Sequence, residues 1–514
     1  EVNGGGTLSN VENIIFPGTV NLNDVNFNQF GVINIPATTT FNYADTKPIS
    51  PNFDINNDGV FNINTTLSAI NISGNSALFI NNNELNVLSQ TNVFMLSDVQ
   101  NNGTMNTVTN SSFIVNPSAV FTHNGDVAGT GALSVGGSMN VTALTTIPST
   151  MVLNLASGGI IGNAENLTVA GLFNWSGGTI NGSGPGFTTS GVVELSSGTL
   201  NTDWSIPSSG IVNWTGDSLN QLVVNNATIT NNGEFNVSSF TGTDLRGVSQ
   251  STAGRDFSGS TGAVFINTGK LNIDAAPANV SPDPITFNLN FTNNGGDIDI
   301  KSGVFKITDA QNAPVDLVLN SGSNLQGFGT FEGNVVNSGG VITPGIDVPG
   351  DSQAGSFTID GNFTQLSGGA ININLDSKVS GLESGALIVS GLMTAGGDIN
   401  FKVINGASFS QIAALLDESF TPLSFGNFAG RFATVDVPAL LEFTLSDTGL
   451  VTITSSNQQL NNISNQLEDL ISRDELEFSE IVEAMKFIDQ KVDVEVKSEE
   501  EEEEDERAPK LVCK

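Results

Sequence analysis

The residues best suited to hold a ligand are oxygen-bearing side chains that alternate with other residues near the beginning of the chain. Asp54, Asn56 and Asp58 have this spacing, and Gly59 follows them. Carboxylate and amide oxygens at such positions suit a calcium ion, as in a calcium-binding loop. The twelfth position of that loop is Thr65, which offers no bidentate carboxylate, and no helical pattern flanks the segment. The spacing suggests a calcium site, and an Asn/Asp-rich corner is the alternative interpretation.

A pair of carboxylates could instead perform acid–base chemistry. Asp297 and Asp299 stand at i and i+2, so on a strand they share a face, as the two carboxylates of a β-helix glycosidase would. The whole chain has 16 Lys and Arg residues, which leaves few groups to bind an acidic substrate. The main hypothesis is therefore that the protein is not an enzyme. The alternative hypothesis is a polysaccharide lyase or glycoside hydrolase.

Other residue types of chemical interest lack the partners that their chemistry requires. His123 is the one histidine, and no Cys or Asp pattern around it indicates a catalytic triad or a metal site, so we expect a surface residue. The glycine-rich segments 129–137 and 182–186 resemble phosphate-binding loops only superficially, because no helical pattern follows either of them. We expect both segments to be corners, and we expect no cofactor.

Four large aromatic residues could contact a ligand or fill a core. Trp175, Trp204 and Trp214 recur at positions where repeats would stack, which predicts an inward stack, with an exposed platform for sugars as the alternative. Tyr43 begins a polar segment that we expect to loop out at 43–51. Tyr43 and Trp204 are the candidate ligand contacts.

The elements that carry these residues are short strands. Across residues 327–405, apolar residues alternate with Thr, Asn, Ser and Asp, the pattern of a half-buried strand. Paired glycines separate the strands at 339–340, 368–369 and 396–397, where corners require backbone conformations that other residues resist. The chain is therefore expected to turn a corner every few residues.

A glycine followed by alternating apolar residues recurs through the chain at the length of one three-sided coil. Gly171, Gly191, Gly210 and Gly233 follow one another at intervals of about 20 residues, which is what three strands of four or five residues plus three corners fill. The spacing predicts an all-β fold, a right-handed parallel β-helix over residues 1–404, whose roughly 20 coils would stack into a rod on the order of 100 Å long. Polar or Pro-bearing inserts are expected at 43–51, 242–259 and 275–284.

The segments 329–345, 355–365 and 386–391 carry a family resemblance. They read GTFEGNVVNSGGVITPG, GSFTIDGNFTQ and ALIVSG, in order and at matching spacing. This succession resembles the passenger repeat of bacterial autotransporters and is similar to the repeats of filamentous-haemagglutinin-like exoproteins. The resemblance implies a structural or adhesive protein, secreted or displayed on the surface of a Gram-negative bacterium, that attaches to cells, matrix or surface glycans. It also implies export through a separate outer-membrane barrel transporter, as in two-partner secretion, and this chain would be the carboxy-terminal portion.

The last hundred residues differ from the repeats. Phenylalanines and longer strands at 405–455 predict a β cap, since the end of a solenoid must be covered. Residues 456–490 have the helical period of two amphipathic helices, and 491–514 form an acidic tail that we expect to be disordered. Cys513, the one cysteine, stands after eight consecutive acids at 499–506, and we interpret it as an anchoring thiol.

Composition restricts the partners of the chain. Its net charge of −36 argues against binding to nucleic acid, which needs clustered Lys and Arg. Charged residues make up 13% of the sequence, so Asn, Ser and Thr carry the surface polarity, and their side chains can form ladders between stacked strands. No apolar run reaches the length of a membrane-spanning helix. The expected partners are a transporter and a cell-surface or matrix ligand such as a glycan.

Overall fold

The computed structural model describes every residue from 78 to 215 and shorter runs on either side. The described residues are 2–3, 7–9, 13–15, 18–23, 26–28, 32–44, 54–65, 67, 69–72, 78–215, 222–238, 255–260, 262–274, 284–346, 352–376, 383–404, 419–437, 442–445 and 451–454. The chain divides into two compact units, Glu1–Thr292 with Ile307–Pro314 and Asn293–Lys306 with Val315–Lys514. The predicted helices at 456–490, the acidic tail at 491–514 and Cys513 lie outside the described residues.

The first unit is a stack of three-sided coils, and each coil adds one short strand to each of three parallel sheets. Strands one coil apart pair in parallel, with Ala132 opposite Val152 and Val152 opposite Leu172. The same pairing recurs from Val192 to Ile211 and from Ile211 to Glu234. Each step matches the length of three short strands and three corners. The parallel β-helix and the coil length predicted from the glycine spacing are therefore confirmed.

We call the three sides of this stack face 1, face 2 and face 3. Face 1 contains the strands Asn13–Ile15, Val32–Ile35, Asp54–Asn57, Leu78–Asn81, Asp98–Asn101, Val120–His123, Ser138–Val141, Ile160–Gly162, Thr179–Asn181, Gly198–Asn201, Leu222–Val224, Arg255–Gly259 and Ile285–Asn288. Face 2 contains Val2–Asn3, Thr19–Asn23, Thr40–Tyr43, Val60–Ile63, Glu84–Val87, Thr104–Thr107 and Asp126–Gly129, then Thr145–Ile147, Leu167–Val169, Phe187–Thr189, Trp204–Ile206, Thr228–Asn231, Val264–Asn267 and Asn290–Asn293. Face 3 contains Ala69–Ile72, Asn92–Met95, Ser112–Val115, Ala132–Val135, Val152–Leu155, Leu172–Trp175, Val192–Leu195, Ile211–Trp214, Glu234–Ser238 and Lys270–Asp274. Thr7–Ser9 and Asn26–Asn28 form a separate pair, and Ala164–Asn166 is a single 3₁₀ turn.

The interior of the first unit is filled by every second residue of each strand. In Leu172–Trp175, for example, the second and fourth residues are buried and the other two are partly exposed. The buried aromatic rings pack against one another from coil to coil, with ring centroids 5.9 Å apart for Trp175 and Trp204 and 6.3 Å apart for Trp204 and Phe235. Trp214 is also fully buried, so the inward aromatic stack is confirmed.

Glycine marks the corner that precedes face 3 because successive coils approach closely there. Gly171 and Gly191 occupy this corner in successive coils. A Cβ atom added to Gly191 would fall well inside the van der Waals radius of the Gly171 carbonyl oxygen. The carbonyl oxygen of Gly191 in turn accepts a hydrogen bond of 3.1 Å from the backbone N–H of Ile211 in the next coil. A side chain at this corner would therefore separate the coils and disturb the hydrogen bonds between them.

The second unit has the same design with longer strands. Its strands are Asp297–Ser302, Val304–Thr308, Leu317–Leu319, Asn324–Gly327, Thr330–Glu332, Val335–Asn337, Val341–Ile346, Gln353–Ala354, Ser356–Asp360, Phe363–Gln365, Ala370–Asp376, Glu383–Ser384, Ala386–Ala395, Asp398–Ile404, Ser419–Phe420, Leu423–Gly430, Thr434–Asp436, Glu442–Leu445 and Val451–Thr454. Two of them, Gln353–Ala354 and Glu383–Ser384, are short antiparallel partners of long parallel strands.

Parallel pairing extends into the segment predicted as a cap, 405–455. Leu423–Gly430 pairs with Ala386–Ala395, and Thr434–Asp436 pairs with Asp398–Ile404, so this segment adds strands to the stack. Beside them, Val451–Thr454 joins Ser419–Phe420 and Glu442–Leu445 in an antiparallel sheet. The described part of the segment therefore combines strands of the stack with a small sheet of its own.

Candidate functional surface

The predicted calcium ligands lie on a strand and the corner after it, and each bonds to a neighbouring coil. Asp54 accepts a hydrogen bond of 2.9 Å from a backbone N–H of the next coil, and Asp58 accepts one of 2.8 Å from an amide there. Asn56 donates its amide N–H to an asparagine oxygen of the preceding coil at 3.1 Å. Among the described residues, no three His, Cys, Asp or Glu side chains stand together in a metal-binding arrangement. These hydrogen bonds are those expected of an Asn/Asp-rich corner, and the calcium site stays a prediction.

The paired carboxylates of the enzymatic hypothesis differ in their environment. Both stand on the strand Asp297–Ser302, with Asp297 exposed and Asp299 only 3% exposed. Asp299 lies opposite Gln326 of the next coil, and Gln326 is itself 4% exposed. The strand therefore presents one of the two carboxylates to solvent, whereas the glycosidase arrangement requires both to reach a bound sugar.

The prediction that His123 is a surface residue is wrong, because the structure buries it completely. It is the last member of an internal polar ladder. Asn57 donates to Asn81 at 2.7 Å, Asn81 donates to Asn101 at 2.6 Å, and the Asn101 amide lies 3.1 Å from Nδ1 of His123. Each amide also donates to a backbone carbonyl oxygen, so flipping any of them would lose that second bond. The ladder therefore has one direction, with donors pointing towards His123.

The direction of the ladder determines which ring nitrogen of the neutral histidine carries the proton. Because the Asn101 amide N–H donates to Nδ1, the neutral ring carries its proton on Nε2. Nε2 is buried and has no hydrogen-bond partner among the described residues. Burial lowers the pKa of His123 to about 4, and the negative charge of Asp126 offsets this only in part. His123 is thus a neutral core residue near neutral pH.

The two aromatic candidates for ligand contact are also buried. Tyr43 and Trp204 are each 1% exposed, so neither can contact a ligand that approaches from outside, and both predictions need correction. Tyr43 ends the face 2 strand Thr40–Tyr43 instead of beginning a loop. The indole N–H of Trp204 donates to the Thr189 hydroxyl at 2.8 Å inside the core. The physical reason is the period of two, which places Tyr43 on the same side as the buried Phe41.

What the first unit presents to solvent is ladders of asparagine side chains. On face 2 the amides of consecutive coils are joined by hydrogen bonds of 2.8, 2.8 and 3.0 Å, through Asn21, Asn42, Asn62 and Asn86. On face 3 the Asn174 amide donates to Asn154 at 2.8 Å. The ladders that the composition suggested are therefore present, and they give the outer surface a regular array of uncharged polar groups.

Face 3 carries an additional feature that the sequence analysis missed. Beside its ladder runs a column of half-buried aliphatic side chains, one from each of five consecutive coils. We call the two columns together the outer strip; its aliphatic members are Ala132, Val152, Leu172, Val192 and Ile211, and its polar members are Ser134, Asn154, Asn174, Glu194 and Asn213. The signal was present, because the residue after each corner glycine is aliphatic in GLFNW, GVVEL and GIVNW, although it points outwards.

Comparison with known proteins gives no indication of function, so the main evidence is the outer surface of the first unit. The chain matches no protein-family profile and no curated protein sequence. Within the described part of the chain, no helix has both the length and the apolar character required to span a lipid bilayer.

Proposed function

We propose that this chain is a structural or adhesive segment of a secreted or surface-displayed bacterial protein, of the filamentous-haemagglutinin-like kind, and that it has no catalytic activity. It attaches the bacterium that displays it to cells, matrix or surface glycans. Export through a separate outer-membrane transporter belongs to the same proposal, as does a location at the surface of a Gram-negative bacterium.

The observation that carries the proposal is the regular outer surface of the first unit. Amide ladders on face 2 and face 3 repeat one side chain per coil, and hydrogen bonds of 2.8 to 3.0 Å hold neighbouring amides in place on face 2. A repeated array of fixed donors and acceptors provides many weak and equivalent contacts, which together give firm attachment through multivalency. A catalytic site would instead need a few unlike groups at one point.

Attachment can be measured with the full chain immobilised on beads. Beads coated with the protein should adhere to epithelial cells or extracellular matrix more than beads coated with an unrelated acidic protein of similar charge. Incubation with a panel of polysaccharides should release neither reducing ends nor unsaturated sugars. Beads that adhere no better than the control would refute attachment, and polysaccharide cleavage that is lost in an Asp299→Asn variant would establish the enzymatic alternative.

A further inference from the structure

The outer strip has the dimensions of a binding site for a linear polymer. It spans five coils, and coils in a parallel sheet are spaced by about 4.8 Å, so the strip is roughly 24 Å long and about 10 Å wide. Its area of roughly 240 Å² is well below the about 800 Å² that each partner buries in a stable protein complex. The strip is therefore too small to hold a second copy of this chain, but it could hold an extended chain lying along the stack.

The polar column repeats one hydrogen-bonding group per coil. Asn154 donates to Ser134 at 2.9 Å, Asn174 donates to Asn154 at 2.8 Å, and Asn213 donates to Glu194 at 2.8 Å. A primary amide has two N–H donors and two acceptor positions, and a ladder bond to each neighbour uses one of each. The amides can therefore offer a further donor and acceptor to a hydroxyl group, whichever way that hydroxyl points.

The spacing distinguishes between possible polymers. Side chains on one face of an extended polypeptide recur every two residues, about 6.6 Å, so a peptide would lose register with the coils after two or three steps. Sugars in an extended β-linked glycan recur at close to the coil spacing. Such a chain can place one sugar on each coil, with hydroxyl groups on the polar column and C–H groups on the aliphatic column.

Charge indicates that the glycan is neutral. Glu194 is the one charged residue of the strip, and it is an acid. Residues 48–245 contain no Lys or Arg at all, so nothing in this part of the chain can pair with a carboxylate or sulfate group. A sulfated or uronic-acid polymer would meet only repulsion here.

We propose that the outer strip of face 3 binds a neutral, extended, β-linked glycan that lies parallel to the stacking direction with one sugar on each coil. This inference rests on the proposed attachment function and names its ligand class. Five sugars fill the five coils, and the affinity of each single site is modest because each sugar contributes one or two exposed hydrogen bonds.

The experiment uses the full chain and β-1,4-linked glucose oligomers of two to six units, titrated by calorimetry. Affinity should rise with each added sugar up to five and then stop rising. Asn174→Ala should weaken binding about five- to tenfold, since it removes hydrogen bonds worth about 1 kcal/mol in total. Asn201→Ala removes a ladder amide from face 1, where Asn201 donates to Asn181 at 2.6 Å. It is the matched control and should leave binding unchanged. Leu172→Ser changes the aliphatic column without touching the ladder and should weaken binding about fivefold.

The outcomes separate this inference from the attachment function. Equal losses in Asn174→Ala and Asn201→Ala would overturn the strip as the site. So would the absence of any loss in either Asn174→Ala or Leu172→Ser. Heparin binding as strong as that of the neutral oligomer would overturn the ligand class. If no oligomer binds while coated beads still adhere to cells, the glycan inference fails and attachment stands; if the beads also fail to adhere, both fail. A change in oligomeric state on substitution of the strip would show that a second copy occupies it and would also overturn the proposal.

Discussion

The buried histidine makes a quantitative prediction about stability and pH. Unfolded, His123 should titrate near its ordinary pKa of 6.5, and in the folded protein burial lowers the pKa to about 4. As pH falls below 6.5 the unfolded state takes up the proton first, so the folded state loses stability until the pH reaches about 4. Below that value both states are protonated, and this group causes no further change.

The magnitude follows from the difference between the two pKa values. Roughly 2.5 pKa units at about 1.36 kcal/mol each amount to about 3 kcal/mol, lost between pH 6.5 and pH 4. The structural cause is that a proton on Nδ1 would face the Asn101 amide N–H at 3.1 Å, donor against donor. Relieving that conflict would require flipping the whole ladder back to Asn57 at the cost of its bonds to backbone carbonyls.

Two measurements test this reasoning. Because the chain has one histidine, selective isotope labelling gives a single imidazole signal in the NMR spectrum, and its titration midpoint should lie near pH 4. Hydrogen exchange of the strands Asp98–Asn101 and Val120–His123 should show opening that becomes easier between pH 6.5 and pH 4, after correction for intrinsic exchange rates.

The matched variant is His123→Asn, which replaces the ring with another amide and continues the ladder. The pH-dependent loss of about 3 kcal/mol should disappear in this variant, while the titration of the many surface carboxylates affects both proteins alike. A midpoint near 6.5, or the same pH dependence of opening in both proteins, would show that His123 is not held neutral by the core.

Three further predictions concern packing between coils. Gly191→Ala should destabilise the protein by about 2 kcal/mol or more, because the new Cβ would overlap a carbonyl oxygen of the coil below, whereas Gly184→Ala meets nothing within 4 Å and should be nearly neutral in thermal unfolding. Gly198→Ala should lower the melting temperature and alter tryptophan fluorescence, because its Cβ would overlap the indole ring of a buried tryptophan; unchanged fluorescence would contradict that contact. Asn81→Ala should cost about 2 to 4 kcal/mol in chemical denaturation because it interrupts the buried ladder, and Asn62→Ala on the outer face should cost less than about 1 kcal/mol. Equal costs for the two asparagines would mean that burial of the ladder adds no stability.

Several local features of the structure could be predicted from the sequence, because a strand and its corner are determined by a few neighbouring residues. The recurrence of Trp175, Trp204 and Trp214 at stacking positions predicted an inward aromatic stack, and the structure buries all three. The alternation of inner and outer residues, applied to Val120–His123, would have placed His123 inside, since it stands two residues after the buried Phe121. Position therefore outweighs residue type in these strands: His123 and Tyr43 are polar-tipped side chains that are buried because each stands on the inner side of its strand.

Contacts between neighbouring coils could not be predicted from the alternation of residues within one strand. Asn81 and Asn101 belong to successive coils, and they meet only if every corner between them has the required length. The outer strip likewise exists because the aliphatic residues of five coils fall in register, although none of the five strands is unusual by itself.

The sequence by itself determined the coil: its length, its three strands and the side of each strand that faces the core. These follow from glycine spacing and from a period of two, which act within about 20 residues. The tertiary structure decided which side chains become neighbours, and therefore that a histidine lies neutral at the end of a buried amide ladder and that an aliphatic column lies beside an amide column. The physical reason is that contacts between coils depend on the register of backbone hydrogen bonds, and that register is established only when one coil has folded onto another.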